Sequence, residues 1–218
     1  MQIDPKRDNK IYCFFRDIHQ SGAEQVKISS GWSKGLNILT PEGLETRPTR
    51  ERVRQAAINM LQPWILEARV LDLFAGSGAV GIELVSRGAS GAHFVEKSPA
   101  ALACLKKNTA EAALRADKQD IHLSPWLVEA ADVLSRLKSF QAGSFDLVWA
   151  DPPYELVPEF LDSAAVFLPG VIAPEGVFVL ESGAESLEVV KPWSASAGLE
   201  LVKHRNYGAT LITIWQKK

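Results

Sequence analysis

From residue 68 onward, apolar positions fall into short continuous runs, separated by segments where they recur every three or four residues. The runs at 68–74, 92–95 and 145–150 read as strands buried on both faces, being too short for buried helices. The intervening segments read as helices. One covers 82–86 and stops at Gly88; a second opens at Ser98-Pro99 and carries Ala101, Leu102, Leu105 and Ala112 on one face; a third begins over 132–137. A third strand is split between 121–123 and 127–128 by Pro125, a residue that cannot donate to a ladder. A helix around 159–167 and a strand at 177–181 follow, and the tail 200–216 reads as two strands around Asn206-Tyr207-Gly208. Strands alternating with helices predict an α/β fold with a doubly wound, mostly parallel sheet covered on both faces. The tail adds an antiparallel C-terminal edge strand.

The front of the chain has a different texture. Residues 1–25 are polar and irregular and read as an extension, whereas 26–46 alternate loosely around Gly31, Gly35 and Gly43 and predict a short hairpin. The run TRPT at 46–49 then starts a helix with Thr49 as its N-cap; Val53, Ala56, Ala57, Met60 and Leu61 share a face and Pro63 ends it. This divides the chain into an N-terminal hairpin and helix extension, 1–66, and a main domain, 67–218.

Composition narrows the class. With 46% hydrophobic and 23% charged residues over 218 positions, the chain has the apolar content for a full core, which excludes a largely disordered protein. No apolar run approaches the roughly 18 residues that span a bilayer, and MQIDPKRDNK leads into no signal-like stretch, so a cytoplasmic location is expected. Cys13 and Cys104 form neither a disulfide framework nor a metal cluster, and the four histidines have no ligand spacing, so no metal is expected. The net charge of −2 argues against a protein that coats nucleic acid non-specifically. Its distribution is uneven, however. Residues 1–55 carry +3 and the rest −5, a basic front compatible with a polyanion held at one edge.

The first chemical signal is Gly76-Ser77-Gly78-Ala79-Val80-Gly81, a GxGxxG run that leaves a strand and opens a helix, with Glu96 twenty residues after Gly76 at the next strand end. Glycines there let backbone approach a ligand, and the acid suits ribose hydroxyls. That pattern alone serves dinucleotides and S-adenosylmethionine equally. Asp72 separates them. An acid inside an apolar strand is costly unless it meets donors, and at the strand's carboxyl end it would face the ligand crevice. There a carboxylate attracts the ammonium of the methionine part and repels a pyrophosphate.

The second signal is Asp151-Pro152-Pro153-Tyr154, directly after a strand. The two prolines stiffen the turn and hold the residue before them extended. The Asp151 carboxylate and the Pro152 carbonyl then offer two acceptors converging on one NH₂ group. A base's exocyclic amine is a poor nucleophile because its lone pair is delocalised; accepting both its hydrogens localises that pair and aims it. Tyr154 offers a flat face for an extruded base.

With these residues in hand, LDLFAGSGAVGIELVSRGA (71–89), VEK (95–97) and DPPY together resemble the class I S-adenosylmethionine-dependent methyltransferases of amino groups, which are Rossmann-like. The segment 29–61, with its TRPT, and the tail RNYGATLITIW are similar to the bacterial RsmD family, over about residues 26–216. The chain departs from that family's usual pattern at Leu84-Val85 and at Ile58. The resemblance implies methylation of guanine N2 in 16S ribosomal RNA, with S-adenosylmethionine as cofactor and a monomer acting on an assembling 30S particle. It implies that Asp72 and the turn Phe74, Ala75, Gly76, Ser77 and Gly78 hold the methionine part and Glu96 the ribose, with Lys97 also at the cofactor. Asp132, or Glu129 in its place, meets the adenine amine. Asp151, Pro152, Pro153 and Tyr154 form the catalytic run, and Arg47 and Thr49 contact substrate. Competing readings are a DNA amino-methyltransferase, a protein-glutamine methyltransferase, an NAD-dependent oxidoreductase and a catalytically silent RNA-binding protein. Asp in place of Asn at 151 disfavours the second and Asp72 the third.

Overall fold

In the computed structural model, which describes residues 26–41 and 48–217, the apolar runs pair into one seven-stranded sheet. A separate two-stranded hairpin precedes it: β1 (Val26–Lys27) and β2 (Asn37–Ile38) pair antiparallel, Val26 opposite Ile38. The main sheet comprises β3 (Arg69–Leu73), β4 (Gly91–Glu96), β5 (Leu127–Ala130), β6 (Phe145–Ala150), β7 (Ile172–Gly183), β8 (Leu199–Tyr207) and β9 (Thr210–Lys217). Their order is β5-β4-β3-β6-β7-β9-β8, parallel throughout except that β9 runs against both neighbours. The order reverses between β3 and β6. In open α/β sheets such a switch point leaves a crevice beyond the carboxyl ends of the strands.

The helices are α1 (Pro48–Met60), α2 (Ala79–Ser86), α3 (Pro99–Asp117), α4 (Val133–Leu137), α5 (Val157–Ala164), α6 (Leu168–Val171) and α7 (Leu187–Ser196). Side chains alternate across the strands and so build two cores. Val70, Phe94, Leu147, Trp149, Val179 and Ile214 meet the hairpin, α1, α2 and α3 on one face. Leu71, Val95, Val148, Phe178, Leu180 and Trp215 meet α4 to α7 on the other. Ile58, Leu84 and Val85, where the family pattern is broken, are all core residues of the first face. The hairpin and α1 therefore share the core of the main sheet. No helix among the described residues is long and apolar enough to cross a membrane.

Several elements differ from the sequence-based expectation. The third strand keeps only Leu127–Ala130; Pro125 ends the pairing and 121–126 has no regular structure. The helix α1 starts at Pro48, so Thr49 lies in its first turn and is not its cap; proline's fixed φ suits it to that first position. The expected helix 159–167 is α5, which begins earlier, at Val157, and ends at Ala164; a separate short helix, α6, follows it. The C-terminal hairpin does supply the antiparallel direction, but its last strand, β9, lies one place in and β8 forms the edge. Burial explains this: Leu211, Ile212, Ile214 and Trp215 of β9 are apolar on both faces, whereas β8 is largely exposed. Helix α7 has no clear signal in the sequence, because Pro192 interrupts its periodicity.

Candidate active site

The glycine turn begins where β3 ends. Phe74, Gly76 and Gly78 all take positive φ (59°, 55° and 80°), which reverses the chain and lets Gly78 start α2. The three glycines have different uses. A Cβ on Gly78 would lie 2.4 Å from Leu105 Cδ1, and one on Gly81 would lie 2.3 Å from Phe94 Cε1, so both allow close helix–sheet packing. Beside Gly76 a Cβ would meet only the Phe74 carbonyl oxygen, at 3.9 Å. That leaves an open cradle at the sheet edge.

Two carboxylates hold this turn. Glu96, at the end of β4, accepts the Gly76 N–H and the Ser98 N–H, both at 2.7 Å, and so fastens the turn to the start of α3. Asp72, only 2% exposed, accepts the Gly81 N–H at 3.0 Å. One Asp72 oxygen therefore does tie down a backbone donor. The group remains unusual. Burial pushes its pKa up to about 7, the Gly81 N–H opposes this, and the nearby Asp151 and Glu96 carboxylates push it further up. Three acids thus converge on one edge of the sheet. Such a cluster fits a ligand carrying positive charge and disfavours a pyrophosphate.

Beside them lies a cavity of about 160 Å³ lined by Phe74, Lys97, Asp132, Val133, Leu156 and Phe160, among others. It is below the ~300 Å³ typical of a whole-ligand pocket and suits a single ring system. Phe74 and Phe160 meet edge to face in its wall, centroids 5.2 Å apart. Asp132 caps α4, accepting the Ser135 N–H at 3.1 Å. Glu129, the alternative at this position, is engaged elsewhere: Arg136 grips both its oxygens, and His93 Nε2 lies 3.1 Å from Oε1. Arg136 holds the Glu129 carboxyl below the usual carboxylate range. Of the two candidates, Asp132 is therefore the one that lines the cavity, where Glu159 is a second acid.

The run 151–154 leaves β6, next to β3, and the chain just past it supplies Leu156 and Phe160 to the cavity wall. Pro152 is buried, while Asp151 and Pro153 are exposed. The Pro153 carbonyl accepts the Leu156 N–H at 2.8 Å, closing a short 3₁₀ turn that sets Tyr154 at the crevice mouth. Tyr154 is 38% exposed, and its hydroxyl lies 3.0 Å from Thr210 Oγ1 on β9 and 3.5 Å from Glu181 Oε1 on β7. The ring is thus tethered by its polar end. Arg47 lies outside the described residues, and of Thr49 the structure describes only the backbone in α1. Trp32, the tryptophan of the basic front segment, packs against the core and donates its indole N–H to the Val85 carbonyl at 3.1 Å.

Sequence reasoning missed Asn108. Buried on α3, its amide nitrogen donates to the Leu39 carbonyl at 2.9 Å and the Ser77 carbonyl at 2.8 Å, while its oxygen accepts the Leu39 N–H at 2.9 Å. It clamps the chain just after β2 to the glycine turn. An amide among the mostly apolar buried positions of α3 was the available signal. A second link joins the hairpin to α2: fully buried Glu83 pairs with Arg87 at 2.9 Å and accepts from the Ser29 N–H and hydroxyl at 2.7 and 2.6 Å.

Comparison with known proteins agrees with this geometry. The family described as "Conserved hypothetical protein 95" matches residues 26–216. Ribosomal RNA small subunit methyltransferase D of Escherichia coli K12 is 34% identical over 173 residues, covering 77% of this chain and 80% of that one. The Bacillus subtilis protein YlbH is 28% identical over 202 residues, covering 88% and 100%. The solved structure of the Escherichia coli protein yhhF superposes with a TM-score of 0.71 at 31% identity, covering 89% of this chain and 99% of that one. A class I methyltransferase fold, an acidic crevice at its switch point and these matches over most of the chain lead to one conclusion: the chain belongs to the ribosomal RNA small subunit methyltransferase D family.

Proposed function

We propose that this chain methylates the exocyclic N2 of a guanine in small-subunit ribosomal RNA, with S-adenosylmethionine as the methyl donor. The observation that carries the reading is the placement of Asp151 and Tyr154 on one lip of the crevice, beside the acidic cluster of Asp72 and Glu96. That arrangement joins a site for a cation to a site for an amine. The residues fit S-adenosylmethionine on three counts: the acids suit its charged methionine part, the cradle at Gly76 admits it, and the cavity at Asp132 suits its adenine. Asp72 and the 74–78 turn would hold the methionine part, Glu96 and Lys97 would lie at the ribose, and Asp132 would meet the adenine amine.

When bound, S-adenosylmethionine supplies a methyl group already activated by its sulfonium. The protein's own residues supply orientation and electrostatics. Asp151 and the Pro152 carbonyl accept the two hydrogens of the guanine amine, concentrate its lone pair on nitrogen and aim it in line. Tyr154, held at its hydroxyl, stacks the extruded base and fixes its plane. The amine becomes acidic only as it gains the methyl group, and its proton then leaves at the Asp151 carboxylate. The same reading takes a monomer as the working form, RNA within an assembling 30S particle as its acceptor, and Arg47 and Thr49 as substrate contacts.

The test is transfer of labelled methyl to unmodified small subunits, naked ribosomal RNA and duplex DNA, with Asp151→Ala as control. Label recovered as N2-methylguanine in ribosomal RNA, and lost in the variant, is the expected result. Label in DNA alone overturns the reading.

A further inference from the structure

The exposed edge of the sheet ends at the catalytic lip. In β8, Lys203, His204, Arg205 and Asn206 are four consecutive exposed residues. Strand side chains alternate between faces, so four in succession mean that neither face of this half-strand is covered. The other half is different: Leu199 is buried, and α7 packs there. The exposed half carries two permanent cations and a histidine. Among the described residues, neither Lys203 nor Arg205 takes part in an ion pair.

Register places this strip relative to the chemistry. Tyr207 pairs with Thr210, and Thr210 pairs with Gly183 at the carboxyl end of β7. The β8–β9 turn is pinned to the same edge, since Ala184 N–H donates to the Ala209 carbonyl at 3.0 Å. Thr210 is also the residue that tethers Tyr154. The strip therefore runs to the same edge as Asp151, three strand spacings away, or about 14 Å. Arg205 is two residues from Tyr207, about 7 Å along the strand. Charge is divided unevenly along this edge. Asp72, Glu96 and Asp151 repel phosphate on the cofactor side, Glu181 lies between on β7 at the Tyr154 hydroxyl, and the cations lie beyond it on β8.

Resting on the reading above, we propose that the carboxyl half of β8, through Lys203, His204 and Arg205, is a docking strip for the phosphate backbone of the RNA strand that carries the target base. A few nucleotides of extended strand span the distance from the strip to a base stacked on Tyr154. Phosphate contacts of this kind set register without reading sequence. Cations on an edge strand also deter edge-to-edge pairing, and the two roles separate experimentally.

The experiment measures methyl transfer to unmodified small subunits across a salt series, for wild type, Lys203→Gln/Arg205→Gln and the conservative Lys203→Arg. Melting curves and sedimentation confirm that each variant is folded and report its oligomeric state. The expected result is a KM for subunits raised about tenfold in the double variant, with kcat within twofold and S-adenosylmethionine affinity unchanged. The slope of log(1/KM) against log salt falls by about 1.4, two contacts at ~0.7 each for single strands. Lys203→Arg behaves as wild type. An unchanged KM and slope in a folded double variant overturns the inference, and self-association of that variant then assigns the cations to edge protection. Absence of label with wild type overturns the reading beneath it, and the inference with it.

Discussion

Burial sets Asp72 against its own charge. Its carboxyl has a pKa of about 7 in the folded chain against 3.8 ordinarily, so the folded state keeps a proton that the unfolded state loses. The stability of the unliganded protein therefore declines as pH rises from about 4 to about 7 and is level above that. Asp72→Asn should raise the melting temperature at pH 8, by an amount corresponding to a few kcal/mol. It should also weaken S-adenosylmethionine binding by at least about tenfold, since the carboxylate that faces the ammonium is gone. In the wild type, affinity should fall below pH 7 towards tenfold per unit, because the cation must displace a proton; titration calorimetry between pH 5.5 and 8 reads this. A flat profile would mean that Asp72 stays ionised. Asp151 is the contrasting case: Asp151→Ala should lower turnover by about 10²–10³ while leaving S-adenosylmethionine affinity within threefold. Both acids were legible in the sequence, one as an acid inside an apolar strand and one before a double proline. Not legible was their mutual electrostatic contact, which depends on β6 lying beside β3.

Elements were legible where their signals are local. The glycine turn, Ser98-Pro99 before α3 and Asp132 before α4 each announce a boundary by their own backbone chemistry, and Ser98 and Asp132 are the caps observed. Gly78→Ala tests the turn: with φ at 80° and Leu105 2.4 Å from the added methyl, it should destabilise by about 1–3 kcal/mol. Asn108 was hidden for the opposite reason. Its partners lie 69 and 31 residues away, and a lone asparagine in a helix does not name them. Asn108→Ala should strand Leu39 N–H and two carbonyls, lower stability by about 2–3 kcal/mol and weaken S-adenosylmethionine binding through Ser77. Chemical denaturation and calorimetry on the same sample separate the two effects. Unaltered affinity in a destabilised protein would confine Asn108 to scaffolding. The helix α7 was hidden by Pro192, which its tertiary contacts override: Val190 and Trp193 are buried, and the Trp193 indole donates to the Leu161 carbonyl at 2.7 Å.

At the scale of the whole molecule, alternation of strand and helix was enough to read a doubly wound sheet. It was not enough to order the last two strands, because a hairpin can add to a sheet with either strand innermost. Burial decides it: the apolar TLITIW run needs cover on both faces and takes the inner place, leaving the polar LVKHRN run outside. The division of charge follows from that choice. Had the two strands been exchanged, the cations would lie inside the sheet and Thr210 would be farther from Tyr154.

The inner position of β9 also bears on how the protein is made. The strand β8 makes no sheet pairing except with β9, and β7 has one edge open until β9 arrives. Yet β9 follows every other described strand in the chain and so is synthesised after them. A nascent chain emerged as far as β8 can assemble the glycine turn and the crevice, but not the tether that holds Tyr154 or the ordered edge beside it. The pairing order allows the crevice to form in two stages: the half proposed to recognise the methyl donor can assemble before β9, and the half proposed to grip the base closes only once β9 has paired. Arrested chains released before β9 should be able to bind donor yet be unable to modify RNA.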